Sequence, residues 1–186
     1  MRVSPAEVSA LPFWLRWFFR RQEKRYGQVL QPALVWSRKP SLFLLFSSLW
    51  ATLSRKSSPL PPVLRAMVQV YVAKLTWCEF CIDLNGHTLA HEHGGEEKLS
   101  ELDNWHSCDL YTPAEKAALA WTESMSGSGC QASDSLHQEL QQHFSEQQIM
   151  ELTALVAFQN MSARFNAALA IPSQGLCEIN PQKHKT

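Results

Sequence analysis

The chain predicts an all-α fold, a helical bundle, on three observations. Glycine is scarce, at 7 of 186 residues. Few segments alternate apolar and polar residues as a half-buried strand would, and helix-start signals recur along the chain. The length suits one domain with a core large enough to need no metal or disulfide staple. Lys plus Arg equals Asp plus Glu, at 17 each, so charge gives no sign of a nucleic-acid partner.

Residues 1–58 form an aromatic-rich helical segment. The first sixty residues hold five of the nine phenylalanines and four of the seven tryptophans. Pro12, Pro32, Pro40 and Pro59 divide them into short pieces. So many large rings cover either the domain's own core or a neighbouring subunit. Arg16, Arg20, Arg21, Lys24 and Arg25 form a basic cluster, read first as a solvated helix face and second as an anionic-surface contact. The apolar run Ser41 to Leu53 falls short of the roughly 20 residues that cross a bilayer. The N-terminus lacks a signal-peptide pattern, and the five cysteines are an odd count, which argues against a secreted disulfide framework. A cytoplasmic, reducing environment is expected, with no membrane partner.

After a connector at Ser54 to Pro62, residues 59–176 form the core unit, and 177–186 a C-terminal tail. Val63, Leu64, Met67, Val70, Tyr71 and Val72 suit a buried helix. Thr112-Pro113-Ala114-Glu115 is a capping box with proline at the first helical position, and that helix should stop in Ser126-Gly127-Ser128-Gly129. Ser133 can cap a short helix through Leu136 and Leu140 to His143. Ser145 to Gln148 opens a long helix that runs to Leu169 and ends before Pro172.

The chemistry centres on Thr76-Trp77-Cys78-Glu79-Phe80-Cys81. Thr76 and Glu79 have capping-box spacing, which would put Cys78 at the second helical position. Cysteines three apart on a helix share a face and can form a disulfide. A helix N-terminus favours thiolate, the reactive form, and the second thiol resolves whatever forms on the first. A zinc site could be written as C-x2-C-x5-H-x3-H with His87 and His91. On one continuous helix up to Gly94-Gly95, however, these histidines point away from the cysteines. No metal and no organic cofactor is expected. His87 is the best-placed proton shuttle of the three local histidines, given a helix irregularity. Cys108, Cys130 and Cys177 read as structural or incidental.

The run Val72 to Asn85 around this pair resembles the carboxymuconolactone decarboxylase family, in its alkylhydroperoxidase D-like (AhpD-like) branch. The run Glu151 to Met161, with Arg164-Phe165-Asn166, is also similar to it, and the resemblance spans about residues 60 to 176. It implies an AhpD-like helical bundle that assembles as a homo-oligomer, a dimer, trimer or hexamer. It also implies a dithiol that reduces hydroperoxides and is re-reduced by a dithiol electron donor. In that branch the second cysteine attacks and the first resolves, here Cys81 and Cys78. The branch's proton relay uses a glutamate and a histidine, and this chain has Ala66 and Asn85 at those positions. Support would therefore fall to Glu79, Asp83, Asn85 or His87. The expected function is a thiol-dependent antioxidant oxidoreductase, acting on a hydroperoxide or a disulfide. The alternative is a non-catalytic redox sensor or assembly protein of the same fold. Lactone decarboxylation, which needs no dithiol, ranks below both.

Overall fold

The computed structural model describes residues 1–127 and 132–177, so Ser128, Gly129, Cys130 and the tail beyond Cys177 lie outside the described residues. Among these residues every regular element is helical. In chain order they are α1 (Phe13–Tyr26), α2 (Gln31–Ser37), α3 (Pro40–Leu53), α4 (Pro62–Leu75), α5 (Glu79–His87), α6 (Glu96–Ser100), α7 (Pro113–Ser126), α8 (Asp134–Gln141) and α9 (Glu146–Ala168). α5 runs on into a π-helical turn, Thr88–Glu92.

The prolines sit where helices begin. Pro12 is the N-cap of α1, and Pro40 and Pro62 are the first residues of α3 and α4. There the missing N–H costs no hydrogen bond. The capping boxes at Thr112/Glu115 and Ser145/Gln148 both form, and Ser133 caps α8. α7 stops at Ser126, as its Ser/Gly run predicts. α8 ends at Gln141, leaving His143 beyond it.

α4 is the central helix, packed on α5, α7 and α9. Met67, Val68, Val70, Val72 and Ala73 are inaccessible to solvent, which no surface helix could tolerate. The connector that follows α3 is tied down by Glu151 of α9, which accepts from Arg55 and from the Ser58 hydroxyl. Gln148 donates to the Pro59 carbonyl at 3.0 Å.

The N-terminal helices lie over one end of this core. Trp36 of α2 stacks on Phe165 of α9 at 3.9 Å between ring centroids, and on Phe46 of α3 at 4.8 Å. Phe46 in turn meets Phe158 at 5.1 Å. α1 is held to α3 by Phe18 and Phe19 against Phe43. A short C-terminal strap completes the attachment. The Gln174 Oε1 accepts from the Gln31 N–H at 2.8 Å, its Nε2 donates to the Gln28 Oε1 at 2.9 Å, and the Gln28 Nε2 donates to the Gln174 carbonyl at 2.9 Å.

Trp36 therefore carries much of the contact between the N-terminal helices and the core. Trp36→Ala removes both stacks and should cost about 2–4 kcal/mol. Limited proteolysis should then cut within residues 1–53 before the core is attacked, while the unmutated chain resists at both places.

Candidate functional site

The site begins with how α4 ends. Trp77 adopts a left-handed backbone, φ 55°, a position usually given to glycine. The Cys78 N–H bonds the Ala73 carbonyl at 3.0 Å and the Trp77 N–H bonds the Lys74 carbonyl at 3.2 Å. This is a Schellman turn, and it corrects the predicted Thr76/Glu79 capping box. Thr76 belongs to the end of α4, where its hydroxyl donates to the Val72 carbonyl at 2.7 Å. The cap of α5 is Cys78 itself, in extended conformation, its Sγ accepting from the Cys81 N–H at 3.3 Å. Cys78 is thus one position outside the helix and not at its second residue. The helix N-terminus still faces its sulfur, so the preference for thiolate persists.

Cys78 and Cys81 are joined as a disulfide, with Cα atoms 5.2 Å apart. Both are buried, at 1% and 3% exposure. Asn166 of α9 brings its Nδ2 to 3.3 Å from the Cys81 Sγ, as a donor. Such a donor favours the charged form of the sulfur once the pair is reduced. Sequence reading had Asn166 only inside a family-like run. It lies 85 residues from Cys81, and no local spacing links the two.

Cys81 opens on a cavity of about 590 Å³; Cys78 is not part of its lining. Trp17, Phe18, Trp36, Phe46, Phe80 and Phe158 supply its aromatic walls. Its polar lining includes the amides Gln69, Asn85, Gln159 and Asn166, the Ser162 hydroxyl, the Tyr26 phenol and the cations Arg21 and Arg25. No carboxylate and no histidine is among the lining residues. The aromatic N-terminal third, whose role the sequence left between core and interface, is the roof of this cavity.

The other named candidates fall elsewhere. Glu79 is exposed in the first turn of α5 and does not line the cavity. Asp83 is committed to the C-terminal strap. It accepts from the Ser173 hydroxyl at 2.9 Å, the Gln174 N–H at 2.8 Å and the Cys177 N–H at 2.6 Å. Burial pushes its carboxyl up, but backbone donors from Cys177, Leu176 and Gln174, with Ser173, outweigh burial and hold it below the usual range. His87 donates from Nδ1 to the Leu176 carbonyl at 2.8 Å, also on the strap. Gly86 lies between them, and a Cβ there would come within 3.2 Å of the Cys177 sulfur, so α5 needs glycine to approach the strap. His87 and His91 have ring centroids 4.9 Å apart. No group of three or more His, Cys, Asp or Glu among the described residues could hold a metal ion. Of the proposed supports, only Asn85 reaches the cavity.

A dithiol at a helix junction, under a wall of helices, defines an AhpD-like helical protein. The chain belongs to the carboxymuconolactone decarboxylase family, whose profile matches residues 40–124. It is 41% identical over 179 residues to the uncharacterized protein YnjA of Escherichia coli K12, covering 95% of this chain and 96% of that one. Its fold matches the debrominase Bmp8 with a TM-score of 0.83 at 24% identity, over 94% of this chain and 92% of that one. It also matches an uncharacterized peroxidase-related protein with an alkylhydroperoxidase AhpD core from Ralstonia eutropha JMP134. There the TM-score is 0.85 at 20% identity, over 94% and 93% of the two chains.

Two outcomes follow from this geometry. Because Asp83 titrates lower folded than unfolded, its contribution to stability is complete above about pH 4 and is lost as the pH falls through the folded value. Asp83→Asn should lower stability at pH 7 by about 2–3 kcal/mol and flatten the acid limb of a stability–pH curve. Asn166→Ala should raise the pKa of the reduced Cys81 thiol. The pH dependence of its alkylation by iodoacetamide would then move to higher pH, with that of Cys78 moving less.

Proposed function

We propose that the protein is a thiol-dependent antioxidant oxidoreductase in which Cys81 attacks the oxidised substrate and Cys78 resolves. The single observation that carries this reading is that Cys81 opens on the cavity while Cys78 lies behind it. The favoured substrate is an organic hydroperoxide, since the aromatic walls gain from burying an apolar group. The Cys81 thiolate attacks the outer peroxide oxygen, forming an S–O bond and breaking O–O. The alkoxide leaves as the alcohol, taking up a proton that the thiols supply. The Cys78 thiol then displaces water from the Cys81 sulfenic acid, forming the disulfide. A dithiol donor restores both thiols.

General-base help is worth about 10²–10⁴-fold, and the cavity lining lacks a base. Turnover should be slow, relying on the Asn166 donor to hold the Cys81 thiolate. The base-free aromatic cavity also favours a second reading, suggested by the debrominase whose fold it shares: reduction of a halogenated aromatic ring. Two thiols would deliver two electrons, replacing carbon–halogen with carbon–hydrogen and releasing halide.

The reduced protein, treated with cumene hydroperoxide, should form the Cys78–Cys81 disulfide faster than with hydrogen peroxide, as seen by mass spectrometry. Cys81→Ser should abolish consumption of the hydroperoxide. Cys78→Ser should stop at a Cys81 sulfenic acid that dimedone traps. A dimedone adduct on Cys78 in the Cys81→Ser protein, with turnover intact, would reverse the assignment. Halide release from a bromopyrrole without hydroperoxide consumption would favour the second reading.

A further inference from the structure

One wall of the cavity is a single stripe of α1. Trp17, Phe18, Arg21, Gln22, Arg25 and Tyr26 line it, at the spacing of one helix face. α3, which supplies Phe43, Phe46 and Trp50 to the lining, has no charged residue. The basic cluster of α1 therefore divides. Arg16, Arg20 and Lys24 are exposed and lie outside the lining, as a solvated face would, whereas Arg21 and Arg25 belong to the cavity.

The two cavity arginines differ in their partners. Arg25 is neutralised, since one of its guanidinium nitrogens donates to both Glu92 oxygens, at 2.8 and 2.9 Å. Arg21 forms no ion pair among the described residues. Its guanidinium lies over the Trp17 ring, 4.9 Å from the centroid, and that ring lines the cavity too. With no carboxylate in the lining, Arg21 leaves the cavity one uncompensated positive charge. The charge sits on the open side, where Arg21 and Trp17 are exposed, and Cys81 marks the enclosed side. A lone cation at the edge of an apolar cleft concentrates anions there.

We infer that the substrate of this site is an amphipathic anion, an apolar or aromatic body bearing a carboxylate or similar acid group that Arg21 holds at the mouth. The inference rests on the proposed reaction at Cys81 and adds to it a substrate class and the residue that recognises it. Burial of an acid group among rings is costly, so the acid stays at the exposed arginine and the opposite end of the molecule enters. A planar guanidinium can take both oxygens of a carboxylate, which fixes direction as well as position. An uncharged apolar molecule could enter by either end. An acid group at Arg21 decides which end meets the sulfur, and it keeps the substrate's charge away from the thiolate that must attack.

Two dyes that differ by one acid group test the binding apart from the reaction. Anilinonaphthalene sulfonate and phenylnaphthylamine share their rings, and only the first carries a charge. In fluorescence titrations of the full-length protein the sulfonate should bind more tightly. Arg21→Gln should weaken the sulfonate about fivefold and leave the uncharged dye unchanged. Arg21→Lys should keep part of the preference, and salt should reduce it. Arg20→Gln with Lys24→Gln removes two charges outside the lining and should change neither dye. Equal binding of the two dyes overturns the inference, as does a loss of preference in the Arg20/Lys24 variant as large as in Arg21→Gln. Linoleic acid hydroperoxide and its methyl ester carry the test to the reaction. The acid should have the lower KM. Arg21→Gln should raise that KM about fivefold with kcat unchanged, since a group remote from the peroxide binds ground state and transition state alike. The KM of the ester should not move. A rise in both KM values, or a fall in kcat with both substrates, would make Arg21 structural and overturn the inference. A dye preference that Arg21→Gln abolishes, with neither hydroperoxide reacting, would sink the proposed chemistry and leave the anion site standing. Reaction of acid and ester at equal KM would sink the anion site alone.

Discussion

Everything at the site depends on one residue of backbone, the left-handed step at Trp77. It ends α4 and frees Cys78 to cap α5 in the same turn. A non-glycine residue in this conformation costs about 1–2 kcal/mol, and the Schellman hydrogen bonds to Ala73 and Lys74 hold it there. Its side chain is 85% exposed, so packing offers no repayment. What the turn achieves is direction. The buried end of α4, with Val72 and Ala73 fully enclosed, fixes where α5 starts, and α5 then aims Cys81 at α9 and the cavity. Had α5 begun one turn earlier at Thr76, Cys78 would share the helical face of Cys81 and both sulfurs would sit at similar depth. With Cys78 as the cap, only Cys81 lines the cavity while the two sulfurs stay within bonding reach.

The strap formed by residues 171–177 is the second organising device. It closes on α5 through Asp83 and His87, and on the loop before α2 through Gln174. Two of the four groups expected to support the dithiol, Asp83 and His87, thus hold the strap. A carboxylate accepting three hydrogen bonds, and held below its ordinary range, is a poor base and a good anchor. By fixing Gln174 against Gln28 and Gln31, the strap also fixes the N-terminal helices that roof the cavity.

Much of the fold was legible because its signals were local. Nothing competes with the capping boxes at Thr112 and Ser145, so both form as their spacing predicts. The same spacing at Thr76 failed because that residue was already the end of another helix. Its hydroxyl found the Val72 carbonyl, and a motif four residues long cannot register the helix before it. The dithiol was legible for the same local reason. Asn166 and the aromatic roof were not, because they depend on α9 and the N-terminal helices meeting α5 in space. Composition could say that the rings of the first sixty residues cover something. Only the tertiary arrangement of Trp36, Phe46, Phe158 and Phe165 shows what.

The cavity sets the terms for any chemistry at Cys81. A thiolate buried among aromatic rings loses most of its hydration, and burial alone would keep the sulfur protonated. The Asn166 amide opposes this, and it cannot accept a proton. It stabilises the charge without removing the proton, so it raises the fraction of reactive sulfur more than it assists the bond-breaking step. A site built this way discriminates by what can fill it. A small hydrophilic oxidant gains nothing from the rings and meets a sulfur without a base. A bulky apolar one expels the remaining water, which strengthens the amide–thiolate bond at the moment of attack. With Ala66 and Asn85 where the resemblance implies a glutamate and a histidine, and no carboxylate or histidine among the cavity's lining residues, the proposed chemistry at Cys81 depends on substrate shape more than on proton transfer.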